Sequence, residues 1–158
     1  MKIKILAVGK LKERYLVDAC KEYIKRISRF SKVEVEEIEE IRLYKDSPSY
    51  IEKVIEEESL KIMNLLNSND YNILLDVEGE KFSSIEFSQF LKKKMDEGNS
   101  SYTFIIGGSY GVSDKLRNIV NQKISLSTLT FPHQLARVIV FEQIYRCFKI
   151  LNNEIYHK

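Results

Sequence analysis

Residues 125–137 read Ser-Leu-Ser-Thr-Leu-Thr-Phe-Pro-His-Gln-Leu-Ala-Arg. In this stretch a short strand pattern leads into a loop of small polar residues, and Pro132 is placed to begin a helix, where its missing N–H costs nothing. The chain then ends on three ionisable side chains, Tyr156, His157 and Lys158. Chain termini are usually frayed and chemically idle. A terminus of this composition, close behind a helix that carries an arginine, predicts a tail that is docked and used.

The remainder of the chain alternates strand and helix patterns. Apolar runs predict strands at 2–8, 32–41, 71–75, 102–106 and 124–126, of which the second is the more exposed. Helical spacing and capping residues predict five helices, at 14–30, from Pro48 to a stop at 67–70, from a capping box at Ser83 to Gly98, after Ser113, and from Pro132 to 149. We therefore predict an α/β fold, a mainly parallel sheet with helices on both faces, formed by one domain over residues 1–158.

The charge of the chain is divided unevenly along its length. Residues 1–32 hold ten Lys and Arg against three acids, a net charge of +7, whereas residues 33–58 hold ten acids against three bases, a net charge of −7. This asymmetry suggests a basic face and an acidic face, and the basic face would suit a phosphate backbone. From charge alone, solvated helix surfaces are the simpler interpretation.

Composition argues against several classes of protein. The hydrophobic fraction of 44% argues against disorder. No apolar run approaches the roughly 20 residues of a membrane span, so we expect no membrane contact. Cys20 and Cys147 lie far apart in helical patterns, which predicts two reduced core thiols and a cytoplasmic protein. Two histidines without paired cysteines do not form a zinc pattern, and we expect no metal.

Three loops rich in small residues follow predicted strands, at 75–79, 107–111 and 126–131. Because ligands bind beyond the carboxyl ends of parallel strands, we expect all three loops to share one edge of the sheet and to form a ligand site. Gly107 and its neighbours would let a ligand approach the backbone closely. A single Gly-Gly pair more often marks only a tight turn. No dinucleotide or nucleoside-triphosphate motif is present.

The candidate side chains also have ordinary structural interpretations. In this interpretation Arg146 only pairs with Glu142 one helical turn earlier. The last residues form a solvent-exposed tail. His133, in the first turn of the last helix, would then simply satisfy loop carbonyls. A hydrolase drawn from Ser109, His133 and Asp76 is disfavoured, because Gly-Gly-Ser-Tyr-Gly is not a nucleophile elbow.

Several of these stretches together resemble one known family. They are Leu-Asp-Val-Glu-Gly-Glu-Lys-Phe-Ser-Ser at 75–84, Phe-Ile-Ile-Gly-Gly-Ser-Tyr-Gly at 104–111, Leu-Ser-Thr-Leu-Thr-Phe-Pro-His at 126–133, Glu-Gln-Ile-Tyr-Arg at 142–146 and the terminal Tyr-His-Lys. In this order and spacing they are similar to the RlmH family, the ribosomal large-subunit methyltransferase H family of the SPOUT superfamily. The opening residues 1–12 are similar to it as well, so the resemblance spans the whole chain.

The resemblance implies a fold and an activity that the residue patterns do not reveal by themselves. It implies a C-terminal trefoil knot, a homodimer, and S-adenosylmethionine as the methyl donor. The implied substrate is a pseudouridine of 23S rRNA in assembled ribosomes, methylated at ring N3. Matched by motif position, the catalytic residues are Arg146, Tyr156 and His157, with His133 a weaker candidate. The implied contacts to the donor are Leu75, Gly107, Leu126, Ser127, Thr128, Leu129, Thr130 and Phe131.

Two other functions remain open at the level of sequence. One is a ribosome-associated binding protein that has kept the fold without catalysis. The intact donor loops and the intact terminal motif argue against this function. The other is a methyltransferase of small molecules or proteins, and the basic N-terminal region weakly favours RNA over these.

Overall fold

The computed structural model describes all residues from Met1 to Lys158. Strands and helices alternate along the chain, as the sequence predicts. The strands are β1 (Lys2–Val8), β2 (Lys32–Ile38), β3 (Tyr71–Lys81), β4 (Ser101–Ile106) and β5 (Gln122–Ser125). The helices are α1 (Arg14–Ile27), α2 (Pro48–Leu65), α3 (Ser84–Asp96), α4 (Asp114–Ile119) and α5 (His133–Leu151).

The five strands form one sheet in the order β2-β1-β4-β3-β5. Every neighbouring pair is parallel, so the α/β fold predicted from the sequence is confirmed. A parallel sheet directs the carboxyl ends of all its strands to a single edge. The loops that follow β3, β4 and β5 therefore emerge side by side.

Helices cover both faces of this sheet, because the central strands are apolar on both sides. Along β1, the side chains of Ile3, Ile5 and Ala7 join one buried cluster, whereas Leu6 and Val8 join another. Helices α1, α3 and α5 contribute to the first cluster, through Cys20, Phe87 and Phe141 among others. Helices α2 and α4 contribute to the second, through Ile62 and Leu116. The predicted placement of helices on both faces is confirmed.

Strand β3 is longer than the sequence predicts. The apolar run ends at Leu75, yet the ladder resumes beyond it, and both Leu75 and Glu80 pair with Ile124 of β5. The intervening residues leave the ladder as a bulge. Gly79 makes this possible, since a Cβ there would lie 2.6 Å from the Ile124 amide nitrogen. The bulge lifts Asp76 away from the ladder at the edge where the three loops meet.

Because β1 pairs with β2, lysines of the basic region 1–32 contact glutamates of the acidic region 33–58. Lys2 contacts Glu34 at 2.8 Å and Lys4 contacts Glu36 at 2.6 Å, while Lys32 also reaches Glu34. The strand lysines are therefore paired with acids and add no unpaired charge to a basic face. Five of the bases in residues 1–32 form no ion pair, namely Lys10, Lys12, Lys21, Lys25 and Arg29.

Both cysteines are buried and unpaired, as predicted for core thiols. Burial raises the pKa of Cys20 to about 11 and that of Cys147 to about 12. No helix has both the length and the apolar character needed to cross a bilayer.

A buried arginine fixes the start of α5 to the sheet. Arg137 is only 1% exposed. It donates one hydrogen bond from Nη1 to the Glu37 carboxylate and another, of 2.8 Å, from Nη2 to the Gly9 carbonyl. Glu37 belongs to β2 and Gly9 follows β1, so a single guanidinium ties the last helix to the ends of two strands. Its Nε finds no partner, which leaves the two bonds at Nη1 and Nη2 to offset the cost of burying the charge.

We predict that Glu37→Ala lowers the free energy of unfolding by about 3 kcal/mol, because the Arg137 charge would remain buried without its counterion. Urea denaturation followed by circular dichroism measures the change. Glu36→Ala is the matched control, since it removes the same charge from the neighbouring residue, whose partner Lys4 is less buried than Arg137, and it should cost clearly less. Equal losses in the two variants would contradict the assignment.

Candidate active site

A cavity of about 810 Å³ lies beyond the carboxyl ends of β3, β4 and β5. Its walls come from the three loops at 75–77, 107–112 and 126–132 and from the first turn of α5. The loops do share one edge of the sheet, as predicted from the alternation of strands and helices. The volume falls within the range of roughly 300–1,000 Å³ that is typical of small-molecule sites.

Most of the residues predicted to contact a ligand line this cavity. They are Leu75, Gly107, Leu126, Leu129, Thr130 and Phe131. Ser127 and Thr128 do not line it. Ser127 instead shapes the loop, because its hydroxyl accepts a hydrogen bond from the Leu129 amide and its carbonyl accepts one from the Ser125 hydroxyl, both 3.0 Å long.

Two of the loop glycines have a packing role that the sequence did not reveal. A Cβ on Gly107 would lie 2.7 Å from a methyl group of the buried Val112, and one on Gly108 would lie 2.7 Å from the Glu58 carboxylate. Gly111 differs, because it adopts a φ of +88°, which disfavours any side chain. Gly107 and Gly108 are therefore required because residues behind the loop pack closely against it. Close approach of a ligand is not the only reason for glycine at these positions.

An ion pair that the sequence did not predict lines the same cavity. Asp76, whose side chain is 3% exposed, accepts a 2.6 Å hydrogen bond from Nε of Arg117. Burial alone would raise the pKa of the Asp76 carboxyl, but hydrogen bonds from the Glu78 amide and from Arg117 outweigh it and lower that pKa. Arg117 also donates from Nη1 to Asp114. No local pattern signals this pair, since the partners are 41 positions apart and only the fold brings them together.

His133 also lines the cavity, beside Ser109. The Ser109 hydroxyl lies 3.4 Å from both His133 Nδ1 and a Glu40 carboxylate oxygen. This is not a hydrolytic triad, because the acid contacts the serine rather than the histidine that it would have to orient. Asp76 pairs with Arg117 instead. The geometry agrees with the sequence in disfavouring a hydrolase.

A second, smaller cavity of about 270 Å³ lies between the sheet and helices α3 and α5. It shares Leu75 and Leu126 with the larger cavity but is lined mainly by apolar side chains. Since no ionised side chain lines this smaller cavity, the larger cavity is the better candidate for a charged ligand. No group of three or more His, Cys, Asp or Glu side chains in the structure is arranged to hold a metal ion.

The C-terminal tail is docked against its own helix. Glu142 accepts hydrogen bonds from Nε of Arg146 at 3.0 Å and from the Tyr156 hydroxyl at 3.1 Å. The Arg146 guanidinium lies 4.7 Å from the centre of the Tyr156 ring, and its Nη1 lies 3.2 Å from His157 Nδ1. An ion pair between Lys149 and Glu154 closes the turn that precedes these residues. The structure thus brings together the three residues that the sequence proposed as catalytic.

The protonation pattern of this cluster follows from its hydrogen bonds. Since an arginine only donates, a hydrogen bond between Arg146 Nη1 and His157 Nδ1 has the histidine nitrogen as its acceptor. Burial, followed by the proximity of Tyr23 and Glu142, raises the pKa of Tyr156, which keeps its hydroxyl protonated at neutral pH. Arg146 is therefore both the partner of Glu142, as its helical spacing suggests, and the centre of a cluster rich in hydrogen-bond donors.

Comparison with known proteins identifies the family. The family model described as "Predicted SPOUT methyltransferase" matches residues 1–157. Proteins named ribosomal RNA large subunit methyltransferase H are 47% identical in Ruminiclostridium cellulolyticum, 46% in Streptococcus pneumoniae and 43% in Enterococcus faecalis, each over the full length of both chains. This chain belongs to the RlmH family of SPOUT methyltransferases. It is therefore a methyltransferase, and its family implies S-adenosylmethionine as the methyl donor and a trefoil knot in the fold.

The cavity fits the donor that the SPOUT family implies. Apolar side chains of Leu75, Leu126 and Phe131 offer surfaces for an adenine ring and for the methylene groups of the donor, and the glycine-containing loop supplies backbone to the wall. The Asp76–Arg117 pair places ionised groups in the same space, to match the charged amino-acid end of the molecule. Few other charged side chains line the cavity, so recognition of the nucleoside would rest on shape and on backbone hydrogen bonds.

In this RlmH chain the cavity and the tail cluster lie at opposite ends of one helix. His133 at the start of α5 lines the cavity, and Arg146 follows thirteen residues later. At 1.5 Å per residue, the separation along the helix is about 20 Å. The cavity and the tail cluster are therefore two separate regions within one chain.

We predict that Glu142→Ala releases the tail. The variant loses the acceptor shared by Arg146 and Tyr156, and hydrogen bonds to a charged group are worth about 1.5–3 kcal/mol each. Carboxypeptidase should then remove Lys158, His157 and Tyr156 about tenfold faster, since proteolysis follows the population of the open form. Mass spectrometry of timed digests measures the rates.

Gln143→Ala is the control for this experiment. Its side chain bonds to Ser84 and to Glu142 but makes no hydrogen bond to the tail, so its digestion rate should match that of the unmodified chain. If Glu142→Ala is digested no faster than Gln143→Ala, Glu142 does not hold the tail.

Proposed function

We propose that this chain transfers a methyl group from S-adenosylmethionine to ring N3 of a pseudouridine in 23S rRNA of assembled ribosomes. The observation that carries the proposal is a donor-sized cavity, in a SPOUT methyltransferase, combined with a separate cluster of Arg146, Tyr156 and His157. The names of the full-length relatives support ribosomal RNA as the substrate. The resemblance of the terminal motif to the RlmH family supports pseudouridine N3 as the acceptor.

We propose that Leu75, Gly107 and residues 126–131 hold the donor. When bound, S-adenosylmethionine supplies an electrophilic methyl group on a sulfonium centre, and little covalent help is needed. The chain contributes orientation, which accounts for much of the acceleration when two reactants are held in line. Leu126, Leu129 and Phe131 would exclude water from the bound nucleoside, while Ser127 and Thr128 would keep the loop in its binding conformation.

The tail cluster is suited to activating the acceptor. An imide N3–H must lose its proton before the nitrogen becomes a good nucleophile. Arg146 retains N–H groups beyond those given to Glu142 and His157, and these would stabilise the imide anion. When Arg146 Nη1 turns toward the substrate, His157 Nδ1 is freed and becomes a proton acceptor. Tyr156, kept protonated by its surroundings, would act as a hydrogen-bond donor.

We propose a homodimer in which the tail cluster of each subunit completes the cavity of its partner. The separation of about 20 Å between cavity and cluster within one chain favours this arrangement. The tail also exposes apolar surface, since Ile155 is 91% exposed beside the cluster.

The surface available for RNA is small, and this favours an assembled substrate. Lys10 and Lys12 follow β1 at the same edge of the sheet as the cavity, and neither forms an ion pair. We propose one domain over residues 1–158 without a separate RNA-binding module. Recognition would then combine a modest basic patch with the shape of the ribosome, and methylation should weaken as salt rises.

Mass spectrometry of 23S rRNA from cells with and without the gene tests the proposed activity. We predict that one methylated pseudouridine disappears when the gene is deleted and returns with a plasmid copy. Ribosomes purified from the deletion strain should accept a methyl group from S-adenosylmethionine in vitro. A short naked stem-loop that carries the pseudouridine should not. Unchanged rRNA would contradict the substrate, and efficient methylation of the stem-loop would contradict the requirement for ribosomes.

Mixed dimers test whether the site is shared between subunits. One chain lacks residues 156–158, and the other carries Thr130→Trp, which fills the mouth of the cavity at an exposed position. Each homodimer should be inactive. With a shared site, the heterodimer has one damaged and one intact composite site, so it should regain about half of the normal activity.

The reciprocal heterodimer is the control for this experiment. It combines an unmodified chain with a chain that carries both lesions, and a shared site then leaves no composite site intact. Two differently tagged chains, co-expressed and purified through both tags, provide each heterodimer. Activity in the control and none in the first heterodimer would show that each chain uses its own tail. Full activity of the truncated homodimer would exclude a catalytic role for the tail.

A further inference from the structure

Arg117 is the only lysine or arginine that lines the donor cavity. It lies on α4, behind the glycine loop, and two carboxylates fix its orientation. Its Nε donates to Asp76 at 2.6 Å and its Nη1 donates to Asp114 at 3.1 Å. Its Nη2 makes no hydrogen bond within the chain. That nitrogen lies beside Gly111, because a Cβ built there would be 3.9 Å from it with nothing else within 4 Å.

The charges around Arg117 leave it able to bind an anion. Asp114 is 92% exposed, so solvent and salt screen its carboxylate. Asp76 is buried and acts mainly to hold the guanidinium in place, which reduces the conformational entropy lost when a ligand binds. The two carboxylates thus fix the orientation of the guanidinium and leave Nη2 free to donate to a ligand. Guanidinium groups are well matched to carboxylates in geometry and charge.

The rest of the cavity offers no lysine or arginine to an anion. Ser109 and His133 also line the cavity, and the Glu40 carboxylate contacts Ser109. Glu58 lies behind the same loop, against Gly108, where burial raises its pKa. Neither of these acids lines the cavity itself, whereas Arg117 does, so Nη2 of Arg117 is the cationic nitrogen that a carboxylate inside the cavity could reach.

We propose that Arg117 binds the carboxylate of the amino-acid end of the methyl donor, and that it makes the cavity prefer S-adenosylmethionine and S-adenosylhomocysteine to nucleosides without that group. This inference rests on the proposed function, since it assumes that the cavity is the donor site. It also assigns the direction in which the donor lies, with its amino-acid end toward α4. The ammonium group of the same end would then lie near Asp76, which gives that acid a second role.

Isothermal titration calorimetry with two ligands tests the assignment without any turnover. The ligands are S-adenosylhomocysteine and its decarboxylated analogue, which differ only in the carboxylate. We expect the unmodified chain to bind S-adenosylhomocysteine about ten to a hundredfold more tightly, as a charge-assisted hydrogen bond provides. In Arg117→Ala this preference should disappear, because the affinity for S-adenosylhomocysteine falls while that for the analogue stays within about threefold.

Two further variants make the comparison specific. Lys115→Ala removes the same charge from an exposed position on the same short helix, and it should leave both affinities unchanged. Arg117→Lys keeps the charge but not the fork, and it should retain part of the preference. Binding of the analogue to Arg117→Ala shows that its cavity is folded.

The outcomes separate this inference from the proposed function. If the unmodified chain binds neither ligand, the donor site itself is wrong and so is the proposed function. If it binds S-adenosylhomocysteine but Arg117→Ala keeps the full preference for the carboxylate, the donor site stands and the role of Arg117 is wrong. An equal loss for both ligands in Arg117→Ala also overturns the inference, because Arg117 would then act only by shaping the cavity through Asp76.

Discussion

The buried guanidinium of Arg137 determines where the last helix starts, and the rest of the candidate site depends on that start. Its bonds to Glu37 and to the Gly9 carbonyl hold the first turns of α5 over the ends of β1 and β2. The loop at 126–131 must therefore span a short gap between the end of β5 and this fixed point. That restraint folds the loop over the strand ends, where its side chains close the cavity.

Helix α5 also separates the two chemical functions of the proposed site. Its start contributes to the cavity that would hold the donor, and its end supports the cluster that would activate the acceptor. A helix of nineteen residues keeps these two regions about 20 Å apart within one chain. The proposed homodimer would bring the start of α5 in one subunit close to the end of α5 in the other.

Few charged side chains line the cavity, and this suits the transfer of a group from a cationic donor. Most of its surface is apolar or backbone, and its only strong ion pair joins Asp76 to Arg117. A site of this kind binds and orients without placing a competing nucleophile near an electrophilic methyl group. The residues proposed to manage a proton lie elsewhere, in the cluster of Arg146, Tyr156 and His157. The proposed function thus assigns orientation and proton transfer to different parts of the chain.

The sequence by itself determined the order of the elements and the class of fold. Apolar runs identify β1, β3 and β4 because these strands are buried on both faces, and caps such as Ser83 and Ser113 mark helix starts because their side chains bond to the following backbone amides. Family motifs also indicated the three loops and the terminal residues. These features are local, so a pattern of neighbouring residues is enough to reveal them.

Only the tertiary structure decided which side chains meet. The Asp76–Arg117 pair, the Arg137–Glu37 pair and the bulge that brings Leu75 and Glu80 to the same partner all join residues that are distant or irregular in sequence. The same is true of the glycines at 107 and 108, whose small size serves packing against Val112 and Glu58. Such contacts depend on how strands align and helices pack, and no local periodicity encodes that alignment.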